Sequence, residues 1–387
     1  MRYISGHYVF TGSEFIKNGI VEVDSDGIIA GLSSTGRTVS EKAGVEFYNG
    51  IIMPGLVNAH CHLELSNMKG IIPEHQGMSD FCKHVMLHRN INPDERYSAM
   101  RDADKFMENE GIVAVGDISN TEASIEVKKN SRLTYRSFIE TFGLNPDKAD
   151  GIIDRAKNLQ KIFEQNGLSA SITPHAPYSL SEKLLLLSVN ESNNARIASI
   201  HNMESLDEME LFETKRGKMR NLFGDYVDLF IYSYDSSMQR SVEYIAFETD
   251  LLLIHNTFVN IHDLKKINTD RMTFVLCPAS NLYIENRLPD INLFLENNLK
   301  VAVGTDGLSS NTNLSILNEL KILNSHFPQI GLHSLLRWAT LNGAQALKLD
   351  SELGSFSVNR RPGILLLSGI DFKNMQLTER SRIERLA

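Results

Sequence analysis

Cysteine is scarce in this chain. The 387 residues contain three, Cys61, Cys82 and Cys277, an odd number with no CxxC pair among them. A disulfide framework is therefore not expected, and a reducing, cytoplasmic setting is. A PCxxC motif is missing as well, so a zinc site of that kind is not expected. Long apolar runs are also absent, and nothing approaches the ~20 consecutive apolar residues that a membrane span needs. The opening stretch, MRYISGHYVFTGSEFIKNG, alternates apolar and polar residues and does not read as a signal peptide. Basic runs are lacking too. Lys and Arg number 39 against 48 Asp and Glu, a formal net charge of -9, so neither a nucleic-acid nor a membrane partner is expected. What remains is an ordinary globular composition, 42% hydrophobic and 22% charged.

The length exceeds the ~250 residues of a closed α/β barrel, which leaves room for a small second domain. Residues 1–50 read as short strands with turns at Ser25–Gly27 and near Gly31. Eight apolar runs of strand length follow: Ile51–Asn58, Ile112–Ile118, Leu133–Thr141, Ala170–His175, Ile197–Asn202, Leu251–Asn256, Met272–Cys277 and Val301–Thr305. Helix-like segments such as Glu95–Asn109 and Asp150–Gln165 lie between them. This alternation predicts an α/β fold, a (β/α)8 TIM-like barrel over residues 51–350. Residues 1–50 and 351–387 are expected to be two halves of one small β-sandwich domain built from both chain ends. The connection Met203–Asp250 is long for a βα loop and suggests a lid, a dimer contact or an extra helix.

Histidine and aspartate gather at the ends of these runs. His60 and His62 follow the first, His175, His201 and His255 end the fourth, fifth and sixth, and Asp306 follows the eighth. A barrel delivers every strand's C-terminal end to one face, so these six residues should converge. His60 and His62, two apart, point to the same side of an extended chain. With a third imidazole and a carboxylate they form a donor set suited to Zn²⁺ or Fe²⁺. A lone HxH would be weak evidence; its partners give it weight.

The segments PGLVNAHCHLELS (Pro54–Ser66), HNME (His201–Glu204), IHNTFV (Ile254–Val259), CPASN (Cys277–Asn281) and GTDGLSSN (Gly304–Asn311) resemble the amidohydrolase superfamily. Their likeness is to its mononuclear branch of nucleoside and nucleobase deaminases and chlorohydrolases, especially deaminases of aminofutalosine, S-adenosylhomocysteine and methylthioadenosine. The resemblance covers nearly the whole chain. It implies His60, His62, His201 and Asp306 as ligands of one divalent metal, Zn ahead of Fe. It implies Glu204 as the proton shuttle, His255 and Asp306 as groups that activate water, and His175 as a substrate contact. Glu64 and Ser310 are further candidates for substrate contact, and Glu64 could instead brace a ligating histidine. The strands where binuclear relatives carry a bridging lysine have none here, so one metal is expected; Glu140 could bridge a second, as a carboxylate does in some relatives, but a structural or substrate-facing role is preferred.

The implied activity is hydrolysis of a carbon–nitrogen bond other than a peptide: an aminopurine nucleoside or similar aminated heterocycle loses its amino group to hydroxide on the metal and releases ammonia. A chlorohydrolase or a cyclic-amide hydrolase would use the same donor set. A non-catalytic assembly module is the reading from another class, and it is disfavoured because no ligand is missing. The expected partner is a small-molecule substrate, and a homodimer is left open.

Overall fold

The computed structural model describes residues 1–34, 44–88 and 92–387. Its centre consists of two four-stranded parallel sheets. The first contains β1 (Leu56–Cys61), β2 (Ile112–Ser119), β3 (Thr134–Thr141) and β4 (Ser169–Pro174); the second contains β5 (Ile197–Asn202), β6 (Asp250–His255), β7 (Met272–Leu276) and β8 (Val301–Val303). Alternate residues of one strand fall in different apolar clusters, with Leu251 and Leu253 in one and Leu252 and Ile254 in another. Both faces of these strands are therefore buried, which is why they read as unbroken apolar runs.

Two seams join the sheets into a barrel. At the first, the His60 carbonyl accepts the Thr305 amide at 3.0 Å and the Asp306 amide at 3.1 Å, so β8 lies against β1. Gly304 permits the approach, since a Cβ there would sit 2.8 Å from the His60 carbonyl oxygen. At the second seam, the His201 amide donates to the His175 carbonyl at 2.9 Å. Below it a side chain completes the ladder: the Thr173 hydroxyl accepts the Ser199 amide at 2.7 Å and donates to the Ser199 carbonyl. The expected barrel is borne out.

The run Ile51–Asn58, expected as a single barrel strand, is divided. Val45–Pro54 is a strand of the small domain, and β1 starts only at Leu56. Proline ends the first ladder because it has no N–H to give. Gly55 then passes so close to a neighbour that a Cβ would lie 2.2 Å from Val113 Cγ1. Val45–Pro54 is the hinge of a seven-stranded mixed sheet, pairing parallel with Arg2–Phe10 and antiparallel with Ile364–Ser368. Both chain ends therefore meet in one β domain. Among the described residues, no helix is long and apolar enough to cross a membrane.

Thr173→Val keeps the side chain's shape and removes both seam bonds. It is expected to cost about 1–3 kcal/mol, because it strands a buried amide and a buried carbonyl. Chemical denaturation measures this, and a change below about 0.5 kcal/mol would mean that the seam does not depend on the hydroxyl.

Candidate metal centre and active site

The strand ends bring the predicted residues together. His62 Nε2 lies 3.4 Å from Asp306 Oδ1 and 3.2 Å from His201 Nε2, and His60 Nε2 lies 3.6 Å from the same Asp306 oxygen. His201 Nδ1 donates to the His175 carbonyl at 2.9 Å, which leaves its Nε2 lone pair facing the cluster. Burial pushes His62 down and His201 well below the usual imidazole range, so both rings are uncharged. Burial works to raise Asp306, but contact with His60 and the other imidazoles around it outweighs that, and this carboxyl lies well below its ordinary range. The Ser280 and Ser310 hydroxyls hold its second oxygen at 2.7 and 2.6 Å.

These residues fit a divalent cation. His60 Nε2 is buried yet has no hydrogen-bond partner. Two uncharged imidazole nitrogens face each other at 3.2 Å, with an ionised carboxylate beside them. Three nitrogens and one oxygen converging in this way form a donor set for zinc or ferrous iron.

Glu204 and His255, the residues expected to handle protons, stand alongside. His255 Nε2 is 3.2 Å from Glu204 Oε1, and its Nδ1 meets Asn281 Oδ1 at 2.8 Å. That amide oxygen can only accept, so the ring proton sits on Nδ1 and the lone pair faces Glu204. Burial lowers His255 to about 4. Burial raises Glu204 well above the carboxylic range, and the charges of Asp306 and Glu208 add to the shift. Burial thus favours the protonated form of Glu204 and the neutral form of His255. His255 and Asp306 have φ values of +71° and +57°, a strain of about 1–3 kcal/mol each that turns both side chains toward the mouth.

A cavity of about 180 Å³ opens above this cluster. His62, His201, Glu204 and Asp306 line one side, and Asn120, Glu140 and His175 form a polar wall. Leu65, Phe142, Tyr178 and Phe223, with Met78, Phe81, Val85 and Met86 of the helix Met78–His88, supply an apolar wall. His175 is fixed through Nδ1 to Ser179 Oγ at 2.7 Å. Glu140 accepts from Asn120 Nδ2 at 3.1 Å, while its buried Oε1 has no hydrogen-bond partner.

Two candidates are placed elsewhere. Glu64 does not line the cavity. The chain after His62 turns into a 3-10 helix, Leu63–Met68, and directs this carboxylate to Arg96 (2.9 Å), the amides of Asn120 and Thr121, and Ser124 Oγ. Ser310 is engaged with Asp306, and its neighbour Ser309 lines the cavity instead.

Sequence reading also missed three buried carboxylates beneath the site. Asp117 accepts the Leu63 amide at 2.8 Å and pairs with the buried Lys128 at 2.6 Å. Glu319 accepts the Ala279 amide and the Asn311 side-chain amide, each at 2.8 Å. Glu208 accepts the amides of Met203 and Glu204 at 3.0 and 2.8 Å. Only Glu208 left a trace in sequence, the S-x-x-E pattern of Ser205 and Glu208 that marks a helix start.

The amidohydrolase family profile matches residues 51–383. The chain belongs to this family. An adenosine deaminase of Helicobacter pylori is 30% identical over 326 residues, covering 81% of this chain and 78% of that protein. A 5'-deoxyadenosine deaminase of Methanosphaera stadtmanae is 23% identical, covering 91% and 80%. Among solved structures, the H. pylori aminofutalosine deaminase in complex with methylthio-coformycin has a TM-score of 0.79 at 25% identity, covering 98% of this chain and 94% of that one. The zinc complex of the Arthrobacter aurescens atrazine chlorohydrolase shares the fold, with a TM-score of 0.74 at 18% identity over 98% and 93% of the two chains. The expectation of an amidohydrolase with deaminase relatives is borne out.

Burial raises Glu319 from 4.5 to about 8. The folded chain therefore holds this proton more tightly than the unfolded chain does. The resulting stability is complete below pH 4.5 and is lost as pH rises through about 8. Glu319→Gln imitates the protonated form and should gain on the wild type over that interval, by up to about 1.4 kcal/mol per pH unit. Thermal unfolding of both proteins from pH 5 to 9 measures the gain; a difference that does not vary with pH would contradict it.

Proposed function

We propose that this protein is a hydrolytic deaminase of an aminopurine nucleoside or a related aminated heterocycle, working with one divalent metal, Zn ahead of Fe. His60, His62, His201 and Asp306 would hold the cation. When bound, it lowers the pKa of water toward neutrality and so supplies a hydroxide nucleophile. The observation that carries the reading is the pair beside that site: the buried Glu204 carboxyl, with Oε1 3.2 Å from His255 Nε2. A protonated carboxyl facing the cavity can give its proton to a ring nitrogen, which makes the adjacent carbon electrophilic. His255, held through Nδ1 by Asn281, keeps a lone pair ready for the proton that leaves the attacking water. Oxygen joins the ring carbon and its remaining proton returns to Glu204; the proton held on His255 passes to the amino group, the C–N bond breaks, and ammonia leaves.

The rest of the cavity sorts the substrate. Glu140 offers an unengaged acceptor oxygen, and with Asn120 and His175 it would hold the substrate's polar groups. The apolar wall would cover a ring face. The deaminase names of the relatives support the same reading. Three cysteines without disulfide partners fit a cytoplasmic setting.

Glu204→Gln keeps the metal donors and removes the proton. It should leave metal content unchanged and lower kcat for ammonia release by about 10²–10⁴-fold. The assay uses aminopurine nucleosides beside chlorinated triazines. An active, metal-loaded Gln variant, or chloride release without ammonia release, would overturn the proposal.

A further inference from the structure

Glu204 can transfer a proton only if the turn that carries it is held still, and that turn is strained. Met203, between His201 and Glu204, has φ +46° although it is not glycine, a strained conformation that surrounding contacts must hold in place. The successive amides of Met203 and Glu204 both point at the Glu208 carboxylate, one to each oxygen, at 3.0 and 2.8 Å. Consecutive amides around one anion form a binding concavity, here filled from within the chain. Glu208 itself is fully buried, and its own amide is held by Ser205 Oγ at 3.1 Å.

A further contact comes from far along the chain. Ser237 Oγ donates to Glu208 Oε1. Ser237 opens the helix Ser237–Val242 within the long connection between β5 and β6. Three residues on, the buried Arg240 of the same helix binds the carbonyls of Pro177 and Leu180 at 2.8 and 2.9 Å, on the loop that carries His175 and Tyr178. One short helix thus braces two walls of the cavity.

We propose that Glu208 is a positioning residue for Glu204, clamping its turn through two main-chain amides, and that the connection to β6 completes the clamp through Ser237. This role rests on the reading of Glu204 as the proton carrier, but the clamp has a readout that needs no turnover. Glu208→Gln retains the size of the side chain and can accept only one of the two amides. In zinc-loaded protein, hydrogen–deuterium exchange at residues 202–206 should rise about tenfold in this variant, with exchange in β6 unchanged. With an aminopurine nucleoside as substrate, kcat should fall about 10- to 100-fold, the range typical of outer partners. KM and metal content should hold, and the pH–rate limb that Glu204 sets should move. Ser237→Ala, a milder change, should shift exchange and kcat the same way by a few-fold, and it decides the matter if Glu208→Gln does not fold.

Unchanged exchange at 202–206, or a kcat loss that tracks loss of metal or of Tm alone, would overturn the clamp. Activity in Glu204→Gln would overturn the function proposed above and leave the exchange result standing.

Discussion

An ionised carboxylate buried among uncharged imidazoles is the arrangement on which everything else in this protein depends. Asp306 is almost wholly inside, its charge kept although burial opposes it, and the rings beside it are driven to their neutral forms. Left alone, such a group is expensive, because a buried anion without a cation loses its hydration and gains little in return. The three nitrogens add lone pairs pointed at one another. A divalent cation resolves both problems at once, and its binding would then also stabilise the fold, since only the folded chain assembles the four donors. The backbone strain at Asp306 and His255 belongs to the same account, because aiming side chains from strand ends into one small volume bends the chain out of its preferred regions.

Aiming them has a second cost that a layer of carboxylates offsets. Where β1, β5 and β7 end, the backbone leaves the ladder and its amides lose their partners in a region that water does not reach. Asp117 takes the Leu63 amide, Glu208 takes those of Met203 and Glu204, and Glu319 takes that of Ala279. Glu64 does the same for Asn120 and Thr121 after β2. A carboxylate suits this task because its two oxygens can serve two donors at fixed spacing. The charge is handled differently in each case. Asp117 is neutralised by Lys128, Glu64 by Arg96, while burial raises Glu208 and Glu319 to about 7 and about 8, where they are partly protonated at neutral pH.

This layering explains what could be read from the sequence. Strands buried on both faces leave continuous apolar runs, so the barrel was visible, and so were the polar residues that interrupt those runs at one end. The HxH of His60 and His62 was legible because β1 stays extended through it. One residue later the chain coils into a 3-10 helix, and the two-residue alternation that placed Glu64 at the mouth no longer applies. Asn281 and Ser280 belong to the CPASN segment, and in space they grip His255 and Asp306. The carboxylates under the site could not be read at all, apart from Glu208, because each acts on an amide supplied by another part of the chain. Even the split of Ile51–Asn58 turned on two residues, Pro54 and Gly55, whose effect depends on a sheet formed with the other chain end.

The same division separates reactivity from selectivity. The atrazine chlorohydrolase, at 18% identity, shares this fold, so the fold by itself does not choose among bonds. What can choose is the wall. Glu140 stands on a strand that the barrel fixes and His175 directly follows another, but Met78, Phe81 and Met86 come from a helix outside it, and Phe223 from the long connection after β5. That helix is tied down where the Ser79 amide meets Asp207 at 2.9 Å, one residue before Glu208. The segment that shapes the apolar side of the pocket and the segment proposed to steady Glu204 therefore share one anchor, the start of the helix Leu206–Thr214. A substrate that displaced the apolar helix would pull on the residues next to the proton carrier, and one that fitted beneath it would not. If Glu204 carries the proton as proposed, selection in this protein would not stop at binding, because a poor fit at the wall would reach it along a few bonded residues.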